Sequence, residues 1–97
     1  MELQELKVES LLRSLGDKCP TPGGGAAAGV TAAIGLAAGR MVLAYSIGRK
    51  DLAEHENANT AALQELEAWR DEAVALAEAD AEAFGILSAL RKLPEDH

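Results

Sequence analysis

The sequence predicts an all-α fold, a helical bundle built around a central Ala/Gly-rich helix and completed by oligomerisation. Three observations lead there. Hydrophobic residues make up 48% of the chain, yet the only aromatics are Tyr45, Trp69 and Phe84, and Ala, Leu and Glu abound; this is the palette of packed helices. Apolar positions recur at spacings of three and four on either side of a long, nearly charge-free stretch. Finally, 97 residues make one domain at most, with little interior of its own unless further copies supply more. Residues 1–97 are therefore read as a single helical domain.

Val8, Leu11, Leu12 and Leu15 fall at i, i+3, i+4 and i+7, so a first amphipathic helix is expected over residues 3–15. Gly16 suits the left-handed residue that often follows a helix. Within residues 19–25, two prolines remove amide donors and three glycines widen the backbone's choices, so the helical pattern breaks.

The second segment, residues 24–48, carries one charge, Arg40. On a helical wheel Val30, Ile34, Ala37, Met41 and Tyr45 share one stripe, and Gly25, Ala28, Ala32, Gly35, Gly39 and Ser46 lie opposite. Burial on both sides is expected, with Gly35 and Gly39 against a neighbouring helix at the centre of the bundle. The spacings Gly25/Gly29 and Gly35/Gly39 also match the small-xxx-small pattern of membrane helix pairs. Ala and Gly dominate the segment and Arg40 interrupts it, so the expected setting is a tight soluble bundle with no membrane partner.

Residues 47–59 read as a polar connection holding Arg49, Lys50, Asp51 and His55. A third helix should start at Asn57 or Asn59 and run to Leu90, with a seam of Leu66, Trp69, Ala73, Leu76, Asp80, Ala83, Leu87 and Leu90. Glu65, Glu67, Asp71, Glu72, Glu78 and Glu82 take mostly the other faces, as a solvated surface does. Leu93-Pro94 should stop the helix. Three helices, one with almost no polar face, cannot cover one another in a monomer, which implies a homo-oligomer.

Nine Lys and Arg against sixteen Asp and Glu give a net charge of -7, which disfavours nucleic acid and anionic membrane surfaces as partners. A lone cysteine, Cys19, closes no intrachain bridge, and residues 1–7 do not resemble a secretory leader. A cytoplasmic location is expected.

Among candidate chemical groups, Asp80 stands out because it occupies the apolar seam, four residues from both Leu76 and Phe84. A carboxylate in such a place either finds a partner, here Arg40 or a helix cap, or serves as a general acid or base in a cleft. The glycine run ending at Gly25 leads into a helix start, where free amides favour a carboxylate or carbonyl; equally, the glycines could simply let two helices cross closely. No Gly-Lys-Ser/Thr follows and no strand precedes, so the run is not a nucleotide loop. His55 and His97 lie far apart and no Cys/His ligand spacing occurs, so no metal is expected. Ser10, Ser14, Ser46 and Ser88 have no paired base, and Cys19 reads more readily as a small buried thiol than as a nucleophile. Arg49 and Lys50 form the local basic pair, suited to capping the second helix or to holding an anion.

Taken together, Pro20-Thr-Pro-Gly-Gly-Gly25, the Ala/Gly helix, Gly48-Arg-Lys50, Ala79-Asp-Ala-Glu-Ala-Phe84 and Leu93-Pro94 resemble, in order and spacing, the cyclodeaminase/cyclohydrolase family. This family comprises the C-terminal domain of formimidoyltransferase-cyclodeaminase and free-standing methenyltetrahydrofolate cyclohydrolases. The similarity runs from Val8 to Pro94 and corresponds to the N-terminal part of the family domain. It implies an all-helical oligomer with a folate cleft between subunits, no metal and no tightly bound cofactor, and a tetrahydrofolate derivative as substrate.

The resemblance also implies lyase or hydrolase chemistry, the cyclodeamination of 5-formimidoyltetrahydrofolate or the hydrolysis of the methenyl form. By match to the family's motifs, Asp80 is the implied proton-transfer residue, and Pro22, Gly23, Gly24, Gly25, Arg49 and Lys50 are the implied substrate contacts. The chain departs from the family at Ala26, where serine is common, and in ending soon after Leu93-Pro94. Those departures leave a non-catalytic helical oligomer as the alternative to an enzyme.

Overall fold

A computed structural model describes residues 3–18 and 23–92. Cys19, Pro20, Thr21, Pro22 and the expected stop at Leu93-Pro94 lie outside the described residues. The described chain is all helical, with no strand. A short 3-10 helix, Leu3–Glu5, precedes α1 (Val8–Gly16); α2 spans Gly24–Ser46, a second 3-10 helix spans Lys50–His55, and α3 spans Glu56–Arg91. The molecule is a rod of 69 × 25 × 17 Å, because 23-residue α2 and 36-residue α3 fold back on each other as one long hairpin.

The two long helices approach closely because small residues line both sides of their contact. A Cβ built at Gly29 would stand 2.7 Å from the Ala77 Cβ and 3.1 Å from the Ala73 carbonyl oxygen. Further along, one at Gly39 would stand 3.3 Å from a Leu66 methyl. Beside that contact the guanidinium Nε of Arg40 donates to Glu67 Oε1 at 2.5 Å, a half-buried bridge between the helices. The lone charge of α2 is thus matched by α3 at the position the antiparallel register dictates.

At the turn, Gly48 adopts φ +88°, the one positive φ among the described residues, and its amide donates to Glu56 Oε1 at 2.7 Å. The left-handed residue the chain needs is therefore Gly48 and not Gly16, which ends α1 in helical conformation and is followed by extended Asp17. The first helix also differs from expectation. It is broken at Leu6–Lys7, where the Leu6 amide donates to the Leu3 carbonyl, and the Gln4 amide donates to Glu78 Oε1 at 3.3 Å. That break lets Leu3, only 3% exposed, pack with Ala26, Ala77 and Ala81, flanked by Leu6, Leu11 and Val30.

One further expectation is corrected. The buried line of α3 is Ala77 and Ala81, with Leu66 and Ala73 half-buried, whereas Trp69, Leu76, Leu87 and Leu90 of the expected seam are exposed. Helices this close admit only methyl-sized side chains between them, so the bulky residues are displaced to the flanks. Within the single chain α2 is covered on one side only, and its expected burial on the other side would need a neighbouring copy. Ile34, Met41, Val42 and Tyr45 are more than half exposed, and Gly35 meets nothing within 4 Å in the chain. By length and composition α2 is apolar enough to cross a membrane, a property shared by core helices of soluble proteins.

Candidate active site

Chemistry-bearing residues converge where α2 begins. Gly23 precedes the helix in extended backbone and offers no side-chain cap. The first bond of the helix is donated by the Ala27 amide to the Gly23 carbonyl at 3.0 Å, so the amides of Gly24, Gly25 and Ala26 have no acceptor within the helix. Onto this turn α3 lays Asp80. A Cβ built at Gly25 would stand 2.6 Å from Asp80 Cγ and 2.7 Å from Oδ1, so the carboxylate occupies the space a side chain at residue 25 would fill. The partial positive charge of a helix start favours an anion there.

The placement follows from the packing beside it. Ala26, Ala77 and Ala81 are buried together with Leu3, and Asp80 sits on α3 one residue before Ala81, directed past the alanine line toward Gly25. Ala26, 1% exposed, fills part of that small core; the position where the family commonly has serine is here a packing position.

Asp80 itself is exposed in the single chain, not held inside an apolar seam as the spacing suggested. The alternative of an ion pair with Arg40 is overturned, since Arg40 is engaged by Glu67. Among the described residues Asp80 accepts no side-chain hydrogen bond and forms no ion pair.

The structure divides the expected site residues into two groups. Gly25 and Asp80 come together within one chain, with Gly23 and Gly24 just before Gly25 at the start of the same helix. Arg49 and Lys50 do not join them. They lie past the other end of α2, whose 23 residues span about 34 Å at ~1.5 Å per residue. Arg49 binds Asp51 there in bidentate fashion, Nε at 3.0 Å and Nη2 at 2.6 Å, so one of the two cations is locally neutralised. Sequence reasoning missed Leu3 and Glu78 as supports of the Asp80 end; the break at Leu6–Lys7 that places them is set by tertiary contact. Among the described residues no three His, Cys, Asp or Glu side chains converge as metal ligands.

A profile of the family described as formiminotransferase-cyclodeaminase matches residues 7–97. The chain is 34% identical over 89 residues to a methenyltetrahydrofolate cyclohydrolase of Methylorubrum extorquens, covering 92% of this chain and 43% of that protein. It is 31% identical over 86 residues to a formimidoyltransferase-cyclodeaminase of Gallus gallus, covering 89% of this chain and 16% of that protein. The chain thus spans less than half the length of either relative. No solved structure matches significantly.

Proposed function

The chain belongs to the formiminotransferase-cyclodeaminase family, and on that premise we propose that it acts in folate one-carbon chemistry with Asp80 as the general acid and base. The observation that carries this reading is the Asp80 carboxylate lying over Gly25 at the uncapped start of α2. An exposed carboxylate beside amides that have no acceptor within the helix combines a proton acceptor with donors for a polar substrate atom.

In the cyclodeamination of 5-formimidoyltetrahydrofolate, reacting with its formimino nitrogen protonated as the amidinium, N10 attacks the formimino carbon and a new C–N bond forms. Asp80 takes the proton that N10 sheds. It then returns that proton to the formimino nitrogen as the bond from carbon to that nitrogen breaks, releasing ammonia and leaving 5,10-methenyltetrahydrofolate. In hydrolysis of the methenyl form, water adds to the same carbon, Asp80 accepts its proton, and the proton passes to the ring nitrogen whose bond to carbon breaks. Neither step changes an oxidation state. The folate is a substrate rather than a resident cofactor, and a cytoplasmic setting accords with a chain that has one cysteine.

A second reading, a non-catalytic helical oligomer that keeps the fold, is favoured by the exposure of Asp80 in the single chain. One variant separates the two. Asp80→Asn keeps the shape of the side chain and removes the basic oxygen, so absorbance-monitored turnover of methenyl- or formimino-folate should fall ~100-fold or more. Because Asp80 is exposed and makes no ion pair, the melting temperature should hardly move. A parent protein that binds folate without turning it over, or an Asp80→Asn variant as fast as the parent, supports the non-catalytic reading.

A further inference from the structure

We infer that Leu3 is a positioning residue for Asp80: packed on the alanines that adjoin Gly25 and Asp80, its side chain sets the close approach of that carboxylate to the start of α2. The inference rests on the folate reading above and names a residue on which the reaction depends through Asp80.

Leu3 and Gln4 precede the stretch matched by the family profile, residues 7–97, so the family motifs assign them nothing. Yet Leu3 is the one large side chain buried among the described residues, the others being Ala26, Ala33, Ala77 and Ala81. Leu3 clusters with three of those alanines, and all three adjoin the site. Ala26 follows Gly25 on α2, Ala81 follows Asp80 on α3, and Ala77 lies one turn before Asp80. A leucine from the opposite end of the chain thus packs where the two helices carry the two halves of the site.

The arm that carries Leu3 has little other anchorage. No residue of α1 is buried, and Val8 and Leu12 are exposed. The Leu6 amide donates to the Leu3 carbonyl at 3.2 Å and closes the turn. The Gln4 amide donates to Glu78 Oε1 at 3.3 Å, two residues before Asp80. That hydrogen bond is exposed and orients the turn, while burial of the leucine supplies the hold.

Alanine neighbours turn this contact into a constraint on geometry. Methyl groups have no rotamers to search, so space left by a shorter residue 3 is not refilled by side chains swinging into it. It closes only by a shift of helix backbone. The backbone at Ala77 and Ala81 carries Asp80, and the backbone at Ala26 carries Gly25. A Cβ at Gly25 would stand 2.6 Å from Asp80 Cγ, and a misplacement of ~1 Å can lower turnover by up to ~100-fold. The hairpin itself is held elsewhere as well, at Gly39 with Leu66 and at Arg40 with Glu67, so it keeps its fold when Leu3 is shortened.

The test compares Leu3→Ala with Leu66→Ala in the full chain, below the melting temperature of each. Leu66 packs at Gly39, about 21 Å along α3 from Asp80 at ~1.5 Å per residue, so its truncation loosens the hairpin away from the site. Both variants should melt below the parent. Only Leu3→Ala should lower kcat for 5,10-methenyltetrahydrofolate, by ~10-fold or more, with KM within about twofold of the parent. Leu3→Met, which conserves volume, should restore kcat.

A second readout needs no folate. The double-mutant cycle of Gly25→Ala and Asp80→Ala, followed by melting temperature, reports the carboxylate resting on Gly25. Its coupling should fall to less than about half in a Leu3→Ala background and persist in a Leu66→Ala background. Coupling retained in Leu3→Ala, or lost equally with Leu66→Ala, overturns the placement of Asp80 by Leu3. Reduced coupling with parental kcat in an active protein overturns its bearing on the reaction. A parent without turnover sinks the folate reading instead, and the coupling then decides the placement alone.

Discussion

Gly29 of α2 and Ala77 of α3 are in such close packing that a Cβ added at Gly29 would fall 2.7 Å from the Ala77 Cβ. Its other neighbours are the Ala73 carbonyl and the Ala77 Cα, at 3.1 and 3.2 Å, so relief requires moving a helix rather than a side chain. Gly29→Ala should therefore destabilise the chain by about 1–3 kcal/mol, although alanine is the better helix former by ~1 kcal/mol. Urea unfolding measures this, and a variant at least as stable as the parent would show that the helices do not meet there.

The Gly25 and Asp80 pair yields a coupled expectation. Gly25→Ala puts a methyl group where the carboxylate lies, so it should lower the melting temperature in the parent and do so less, or not at all, in an Asp80→Ala background. A coupling of about 1 kcal/mol is expected for residues in direct contact. Strict additivity across the four proteins would mean that Asp80 does not rest on Gly25.

Arg40 and Glu67 form a half-buried bridge, intermediate between surface pairs and the costly fully buried kind. The double-mutant cycle of Arg40→Met and Glu67→Gln should give a favourable coupling on the order of 1 kcal/mol that weakens with added salt. The same cycle between Arg40 and Asp80 should give none.

At the hairpin turn, Glu56→Ala removes the acceptor for the Gly48 amide. The turn is exposed and water can substitute, so a loss of about 0.5–1.5 kcal/mol is expected. Gly48→Ala should cost at least as much, because its backbone sits at φ +88°, where a side chain is strained. Equal stability of both variants and the parent would remove the turn as a determinant of the hairpin.

Much of the candidate site was legible because it depends on local chemistry. A glycine run at a helix start exposes amides whatever it packs against, and Asp80 is an acidic interruption in a run of apolar spacing. Its partnering was misread for a geometric reason. Spacing alone places Asp80 with Leu76 and Phe84, but the crossing selects the adjacent line of Ala73, Ala77 and Ala81, because Gly29 admits only small neighbours. The carboxylate is turned to the edge of that line, over Gly25. Arg49 and Lys50 were grouped with it through family motifs, which carry no distance; the length of α2 separates them.

Helix content, the polar connection between the two long helices and the apolar nature of α2 were determined by the sequence itself, since three- and four-residue periodicity and the scarcity of charge are properties of the chain alone. The tertiary structure decided which faces of the helices meet. Local periodicity leaves the rotation of a helix about its axis open by tens of degrees, and only the close approach at Gly29 and Gly39, with Arg40 reaching Glu67, fixes it. The same contact decided that Gly35 and the bulky face of α2 point outward, that Leu3 folds under α3, and that Asp80 meets the start of α2. These outcomes depend on residues far apart in the chain whose volumes must fit at once, and no local pattern encodes that fit.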